Sequence, residues 1–380
     1  MVAIFSLSNI PTPLYARWQA KLCFSSGMLT SVFAVYALSL VLTLLVAGQL
    51  SERFGARRTL LAAMSCGVTA ALLFTFAHSV GMLLAARFLS GIAVGVASSV
   101  GMASIVMIGG PARVRQASRL SSLGMVVGAG SGPLLAGGLS LAIEQPVIPI
   151  FGIEILILIS AAAMVFAVPY NEAPTSKGFR WRLRLPHVPR ANRRHLALGI
   201  ALFGPGLAAT SFMLSLGPSV LNLVAGTAGP LLAGGMACLM FFAAASVQFL
   251  GGSSTIRGLF FLSAIATSAA MAMIVAAIVL SSPLALCVAA LLAGCGQGLG
   301  QLGGLTLLGL HVADSHRSQA NALLSIGAYV PAGLMPLSAG FLVDWVGLAA
   351  GAMLFAAALS AAAIAGQLFV TRNVTGRDEG

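Results

Sequence analysis

Charge is scarce in this chain. Of 380 residues only 7% are Asp, Glu, Lys or Arg, and the acids number 8. A water-soluble fold needs a charged surface. That scarcity, with 59% hydrophobic residues and a mean hydropathy of +1.01, excludes a soluble globular domain and implies a polytopic helical membrane protein. Cysteines are few as well. Cys23, Cys66, Cys238, Cys287 and Cys295 share no ligand spacing, and four sit inside apolar runs, so neither a disulfide frame nor a redox site is expected. Also missing are a phosphate-binding loop, a pair of catalytic carboxylates, a nucleophile with a positioned base and a metal-spaced His or Cys cluster. The sequence therefore gives no support to an enzyme or an ATP-driven pump, and no cofactor or metal is expected.

The positive charge that is present is unevenly placed. The net charge of +12 would raise nucleic acid as a partner, but all of the 20 Lys and Arg residues except Arg17, Lys21 and Arg87 fall in alternate connections between apolar runs. These are Arg53, Arg57 and Arg58; Arg113, Arg115 and Arg119; Lys177 to Arg194; Arg257; Arg317; and Arg372 with Arg377. Such alternation is the signature of cytoplasmic loops, so the basicity sets topology and no nucleic-acid partner is expected. The expected location is a cytoplasmic (inner) membrane, crossed many times, with both termini in the cytoplasm.

One loop carries more information than the rest. Gly48 to Arg58 is an island of charge between apolar runs of 27–47 and 59–77, each long enough to cross about 30 Å of hydrocarbon at about 1.5 Å per residue. It reads as a tight turn in which Gly48 lets two helices approach, Gly55 permits the turn, and Arg57 and Arg58 hold the cytoplasmic side. The acid Glu52 is placed to meet a helix N-terminus or an arginine. The spacing of Gly48, Leu50, Glu52, Arg53, Gly55, Arg57 and Arg58 resembles the loop signature G-x-L-x-D-R-x-G-R-R of the major facilitator superfamily, with Glu52 where the family has Asp. The resemblance implies that this loop latches the two halves of a transporter in one state.

Taken in order, the apolar runs predict twelve transmembrane helices. The first is expected to be shortened, since 1–15 is apolar but too short to span and is interrupted by Pro11 and Pro13. The expected organisation is an N-terminal six-helix bundle over 1–170, a basic cytoplasmic linker over 171–194, a C-terminal six-helix bundle over 195–370 and a cytoplasmic tail over 371–380. The linker, with Trp181 among its arginines, reads either as an amphipathic helix on anionic headgroups or as a solvated connection.

Sliding the chain by 203 residues aligns its halves without gaps. Gly91 meets Gly294, Gly95 meets Gly298, Gly130 meets Gly333, Pro133 meets Pro336 and Gly137 meets Gly340. The segments 115–124 and 318–327 match best. Two like-oriented halves follow, which is the parallel-repeat plan of a secondary transporter. The same offset makes Met1 equivalent to Gly204, inside the seventh span, and predicts that roughly the first third of span 1 is missing.

Several residues are candidates for function. Arg87 lies in the fourth span, where an ionised group must face water, a partner or the headgroups, so it is expected to point into a cavity or to snorkel outward. Its segment Arg87 to Gly91 resembles the R-x-x-x-G element of proton-coupled antiporters in the family. Glu154, in the sixth span, is the one acid well inside an apolar run, at a depth like that of Arg87. It is expected either to carry a proton beside that guanidinium or to serve structure. Helical spacing places Gly91, Val94 and Ser98 on Arg87's face, with Gln297 and Gln301 on the equivalent face of the tenth span. Asn9, Gln248 and Tyr329 are weaker cavity candidates. In the fifth span Gly128, Gly132, Pro133 and Gly137 resemble the G-x-x-x-G-P-x-x-G-G element of exporters that exchange substrate for protons, with one extra residue before the last Gly pair. Small residues alone predict close packing.

The expectation is a monomeric transporter of a small organic compound, driven outward by proton exchange. A uniporter or importer of a metabolite, or a non-transporting membrane protein on the same fold, are the alternatives.

Overall fold

The structure, a computed structural model, describes residues 1–110, 113–168, 186–226, 229–250 and 255–373, except the side chains of 114, 115, 314, 315 and 318. Most of the predicted linker, including Trp181 and its neighbouring basic residues, and the tail beyond 373 lie outside the described residues.

The described chain is helical throughout. α1 (Val2–Asn9) leads through a 3-10 turn at Thr12–Leu14 into α2 (Tyr15–Leu22), followed by α3 (Ser26–Phe54), α4 (Ala56–Thr75), α5 (Val80–Val96), α6 (Met102–Gly109), α7 (Val114–Ala142) and α8 (Val147–Ala167). A π-helical turn at Ala97–Gly101 joins α5 to α6. The second half begins with α9 (Arg193–Ser215) and α10 (Gly217–Ala225), then α11 (Pro230–Leu250), α12 (Ile256–Val279), α13 (Pro283–His311), α14 (Asp314–Val346) and α15 (Leu348–Asn373).

Eleven helices among the described residues are long and apolar enough to cross a membrane. The twelfth position, the first span, is filled by α1, the 3-10 turn and α2 in succession. Ile10, Pro11 and Leu14 all keep right-handed backbone angles. The prolines interrupt the hydrogen-bond ladder without turning the chain away, so the helical course continues to Leu22 and is not confined to the first fifteen residues. The seventh span is broken too, between Ser215 and Gly217, where Gly217-Pro218 interrupts α9.

The 203-residue repeat is visible in the caps. Ser79 Oγ accepts from Met82 N at 3.3 Å to start α5, and Ser282 Oγ accepts from Ala285 N at 3.3 Å to start α13. Ser282 is the residue onto which the offset carries Ser79, so each half begins its fourth span with the same side-chain cap.

The Gly48–Arg58 loop is tighter than the sequence indicated. α3 continues helically through Glu52 and Phe54, and Gly55 alone, at φ +85° and ψ 149°, separates it from α4. Nothing between 48 and 54 breaks a helix, and only the residue with the positive φ has to be glycine.

Two long contacts join the bundles: α3 lies along α14, and α7 lies along α11. Glycines make both possible. A Cβ on Gly340 would stand 2.7 Å from Ser26 O, one on Gly137 would stand 2.6 Å from Pro230 O, and one on Gly234 would stand 2.2 Å from Pro133 O. These contacts cluster near the end of the bundle that carries Ser26 and Asp344, here the charge-poor end. At the opposite, basic end, Gly48 has open space around it, so it does not mediate the helix contact expected of it in this conformation.

Candidate functional site

Arg87 and Glu154 are both 1% exposed. Each reaches α1 from a different helix. The Arg87 Nη1 group donates to the carbonyl of Ser8 at 2.5 Å, and its Nε donates to the hydroxyl of Tyr15. The Glu154 Oε2 atom accepts from Ser6 Oγ at 3.0 Å. Around the guanidinium stand four aromatic rings, with centroids 4.6 Å (Phe33), 5.2 Å (Tyr15), 5.5 Å (Tyr36) and 6.0 Å (Phe74) from Cζ. A cation can be held in this way in a medium poor in water, because the ring faces supply negative potential where solvent cannot.

Neither charged group is fully satisfied. Arg87 Nη2 and Glu154 Oε1 are buried with no hydrogen-bond partner. The two side chains do not form an ion pair; the expected direct pairing is replaced by a bridge through α1, with Ser6 held by the acid and Ser8 by the base. Arg87 also departs from the expected cavity-facing or snorkelling position. The face it shares with Gly91 and Gly95 is packed on α3: a Cβ on Gly91 would come 2.6 Å from Tyr36 O, and one on Gly95 would come 2.7 Å from Thr43 Cβ. Arg87 is therefore enclosed, not open to water or headgroups.

α1 itself is seated on the glycines of α7. A Cβ at Gly128 would stand 2.4 Å from Val2 O, and one at Gly132 would stand 2.6 Å from Ser6 O. The next residues of the same motif turn to the other bundle, since Pro133 meets Gly234 and Gly137 meets Pro230. The motif therefore packs two different partners, one along each side of α7. Asn9 is buried at the end of α1 and donates to Ser8 Oγ at 2.8 Å.

In the second half, Gln301 Oε1 accepts from Gln248 Nε2 at 3.1 Å, an interhelical bond between α13 and α11. The Gln297 Oε1 atom is buried without a partner. Tyr329 lines a cavity of about 430 Å³ with Ser31, Ala37 and Val41 of α3 and Gly333 and Leu337 of α14. Tyr329 and the two glutamines are thus not gathered onto the Arg87 cluster by any described hydrogen bond.

At the basic end, Glu52 is exposed and forms no hydrogen bond or ion pair among the described residues. Arg53 lies over the ring of Phe54, with Cζ 4.9 Å from the centroid. Arg57 donates to the carbonyl of Phe166 near the end of α8 and covers that residue's ring at 4.4 Å. A cation there is favoured by the negative end of the α8 dipole. Arg58 is exposed.

Sequence reasoning missed Tyr15, Phe33, Tyr36 and Phe74 around Arg87, and the serines that carry α1. The available signal was weak: Tyr15 and Tyr36 are two of only four tyrosines in the chain.

Twelve helical positions in two repeated bundles, meeting along glycine seams and enclosing buried ionisable groups, define the architecture of a secondary transporter. The chain belongs to the Major Facilitator Superfamily, whose profile matches residues 1–275. Among solved structures it is similar to a mutant of the nucleoside transporter NupG, with a TM-score of 0.75 and 13% identity over 97% of this chain and 98% of that one. It is also similar to a bacterial homologue of the human lysosomal transporter Spinster, in an inward-facing and occupied conformation, with a TM-score of 0.69 and 15% identity over 100% of this chain and 96% of that one. At these identities the likeness establishes the fold. No curated protein matches the chain by sequence.

Proposed function

We propose that this transporter exchanges a small organic compound for protons and moves the compound out of the cell by alternating access. The observation that carries the reading is the cluster on α1: a buried acid and a buried base, each with one unfilled bonding position, anchored to neighbouring serines of the same short helix. The guanidinium keeps its protons at physiological pH, so Glu154 is the member able to release and regain one. Movement of α1 changes the surroundings of both groups together, which is the linkage a coupled cycle needs. On this reading the basic end faces the cytoplasm, because Arg53, Arg57, Arg58, Arg193, Arg194, Arg257, Arg317 and Arg372 gather there.

The test is transport by the purified chain in proteoliposomes under an imposed pH gradient, with a panel of compounds that includes nucleosides and lipophilic organic cations. Wild-type exchange is expected to follow the gradient. Arg87→Gln is expected to abolish gradient-driven exchange while affecting substrate affinity less, and Glu154→Gln to leave transport that no longer responds to pH. If both variants keep a normal response to the gradient, coupling through this cluster is wrong, and a uniporter or a substrate-borne proton replaces it.

A further inference from the structure

Asp344 stands at an unfavourable place on its own helix. It is the third-last residue of α14, where the helix dipole is negative and an acid is disfavoured. Its carboxylate points instead at the start of α3 in the other bundle. Oδ1 accepts from Ser26 N and Oδ2 from Gly27 N, both at 2.8 Å.

Three donors of that terminus have identified acceptors. An α-helix begins with four backbone N–H groups that have no partner within the helix. In α3 the ladder begins with Leu29 N donating to Ser25 O at 3.0 Å; of the donors before it, Met28 N is met by Ser25 Oγ at 3.2 Å, while Ser26 N and Gly27 N find no acceptor in their own helix. Those two are filled by Asp344. The cap of one bundle's second span is thus finished by the eleventh span of the other. The packing below it is equally close. A side chain at Gly27 would strike the Phe341 ring at 2.6 Å, Gly340 leaves room for Ser26 O, and Thr30 Oγ1, which donates to Gly27 O of its own helix at 3.0 Å, lies 3.4 Å from Leu337 O.

We propose that Asp344 is the positioning residue of the gate at the charge-poor end: its carboxylate, bridging two backbone amides of α3, holds the bundles together there and must let go whenever that end opens. The inference concerns which end is closed and by what, and stands whether or not protons are coupled. α3 keeps Ser25 as its own cap when the bundles part, so the helix survives while Ser26 N and Gly27 N pass to water. The exchange is reversible and needs no other side chain.

The experiment uses the full-length chain in lipid nanodiscs, with its five cysteines replaced and spin labels at Met28→Cys and Trp345→Cys. These positions flank the bridge and are exposed (39% and 88%). Electron–electron distance measurement is expected to give one short distance. In Asp344→Asn, which keeps the shape but loses the charge, a longer component is expected to grow about fivefold relative to the short one. Raising KCl to about 1 M, which shortens the screening length to about 3 Å, is expected to move the unsubstituted Asp344 protein in the same direction, with no dependence on how a variant folds. Gly340→Ala, which forces α14 from Ser26 O while leaving the carboxylate, serves as the positive control for an opened end. An unchanged distribution in both Asp344→Asn and high salt, with Gly340→Ala opening the seam, would overturn the proposal and assign closure to shape alone.

Discussion

Arg87 shows how a single ionised residue is kept inside a membrane protein. Its charge is balanced by aromatic faces, one carbonyl and one phenol, with no opposing carboxylate in contact. Tyr15→Phe retains the ring but removes the acceptor for Arg87 Nε, leaving a second buried N–H beside the already unpartnered Nη2. The loss is expected to cost about 1–3 kcal/mol, read as a lower thermal unfolding midpoint of the detergent-solubilised protein. Ser8→Ala is expected to cost less, because Arg87 uses the backbone oxygen of Ser8 and not its hydroxyl. Arg87 and Glu154 could be picked out from sequence because an ion in hydrocarbon is conspicuous. The cage around Arg87 could not, since Phe33, Tyr36 and Phe74 lie on other helices and aromatic residues are ordinary within apolar runs.

Among the elements, α7 separates packing from propensity most clearly. Gly132→Ala would place a methyl 2.6 Å from the Ser6 carbonyl, a backbone atom that cannot swing aside, whereas Gly138→Ala meets nothing within 4 Å. The first is expected to destabilise by about 1–3 kcal/mol through overpacking against α1, and the second to be neutral or mildly stabilising. Thermal unfolding and size-exclusion profiles of the two variants check the contrast. Helix positions were legible because each span is a long apolar run; the caps at Ser79 and Ser282 were not picked out, although the two serines stand at the repeat offset. The broken first span was legible only as an irregularity: Pro11 and Pro13 announced a break, but that the chain continues helically to Leu22 depends on α7 and on the two charged anchors, which lie far away in sequence. Likewise the charged turn was recognised as a turn, while its reduction to Gly55 alone depended on the absence of any helix breaker before it.

At the scale of the whole molecule, the charged turn and the Asp344 bridge lie at opposite ends. In this conformation Glu52 has no partner among the described residues, so removing it takes nothing from the state described here. Glu52→Ala is therefore expected to leave membrane insertion and thermal stability unchanged while slowing transport, if the loop latches a state in which the basic ends meet, as its resemblance to the family loop implies. Full transport by Glu52→Ala in vesicles would show that the implied latch does not operate here. Two bundles and twelve positions followed from the repeat and the charge alternation. The closed end did not, because it is decided by contacts between residues more than 300 positions apart, such as Gly27 with Asp344.

The repeat also shows how unlike the two clasps of that end are. Gly340 and Gly137 are equivalent under the offset, and each rests on the first turn of a helix in the opposite half. The offset places Leu141 where the other clasp has Asp344, and Leu141 is exposed and brings no charge to that seam; its Cδ2 lies 3.8 Å from the position a Cβ would take on Gly229. One jaw is thus fastened by an ion and the other by close, uncharged helix packing at Gly137 and Gly234. Salt loosens the first and leaves the second untouched. The mouth of this molecule is lopsided, and conditions chosen to favour one fastening tilt it instead of spreading it evenly.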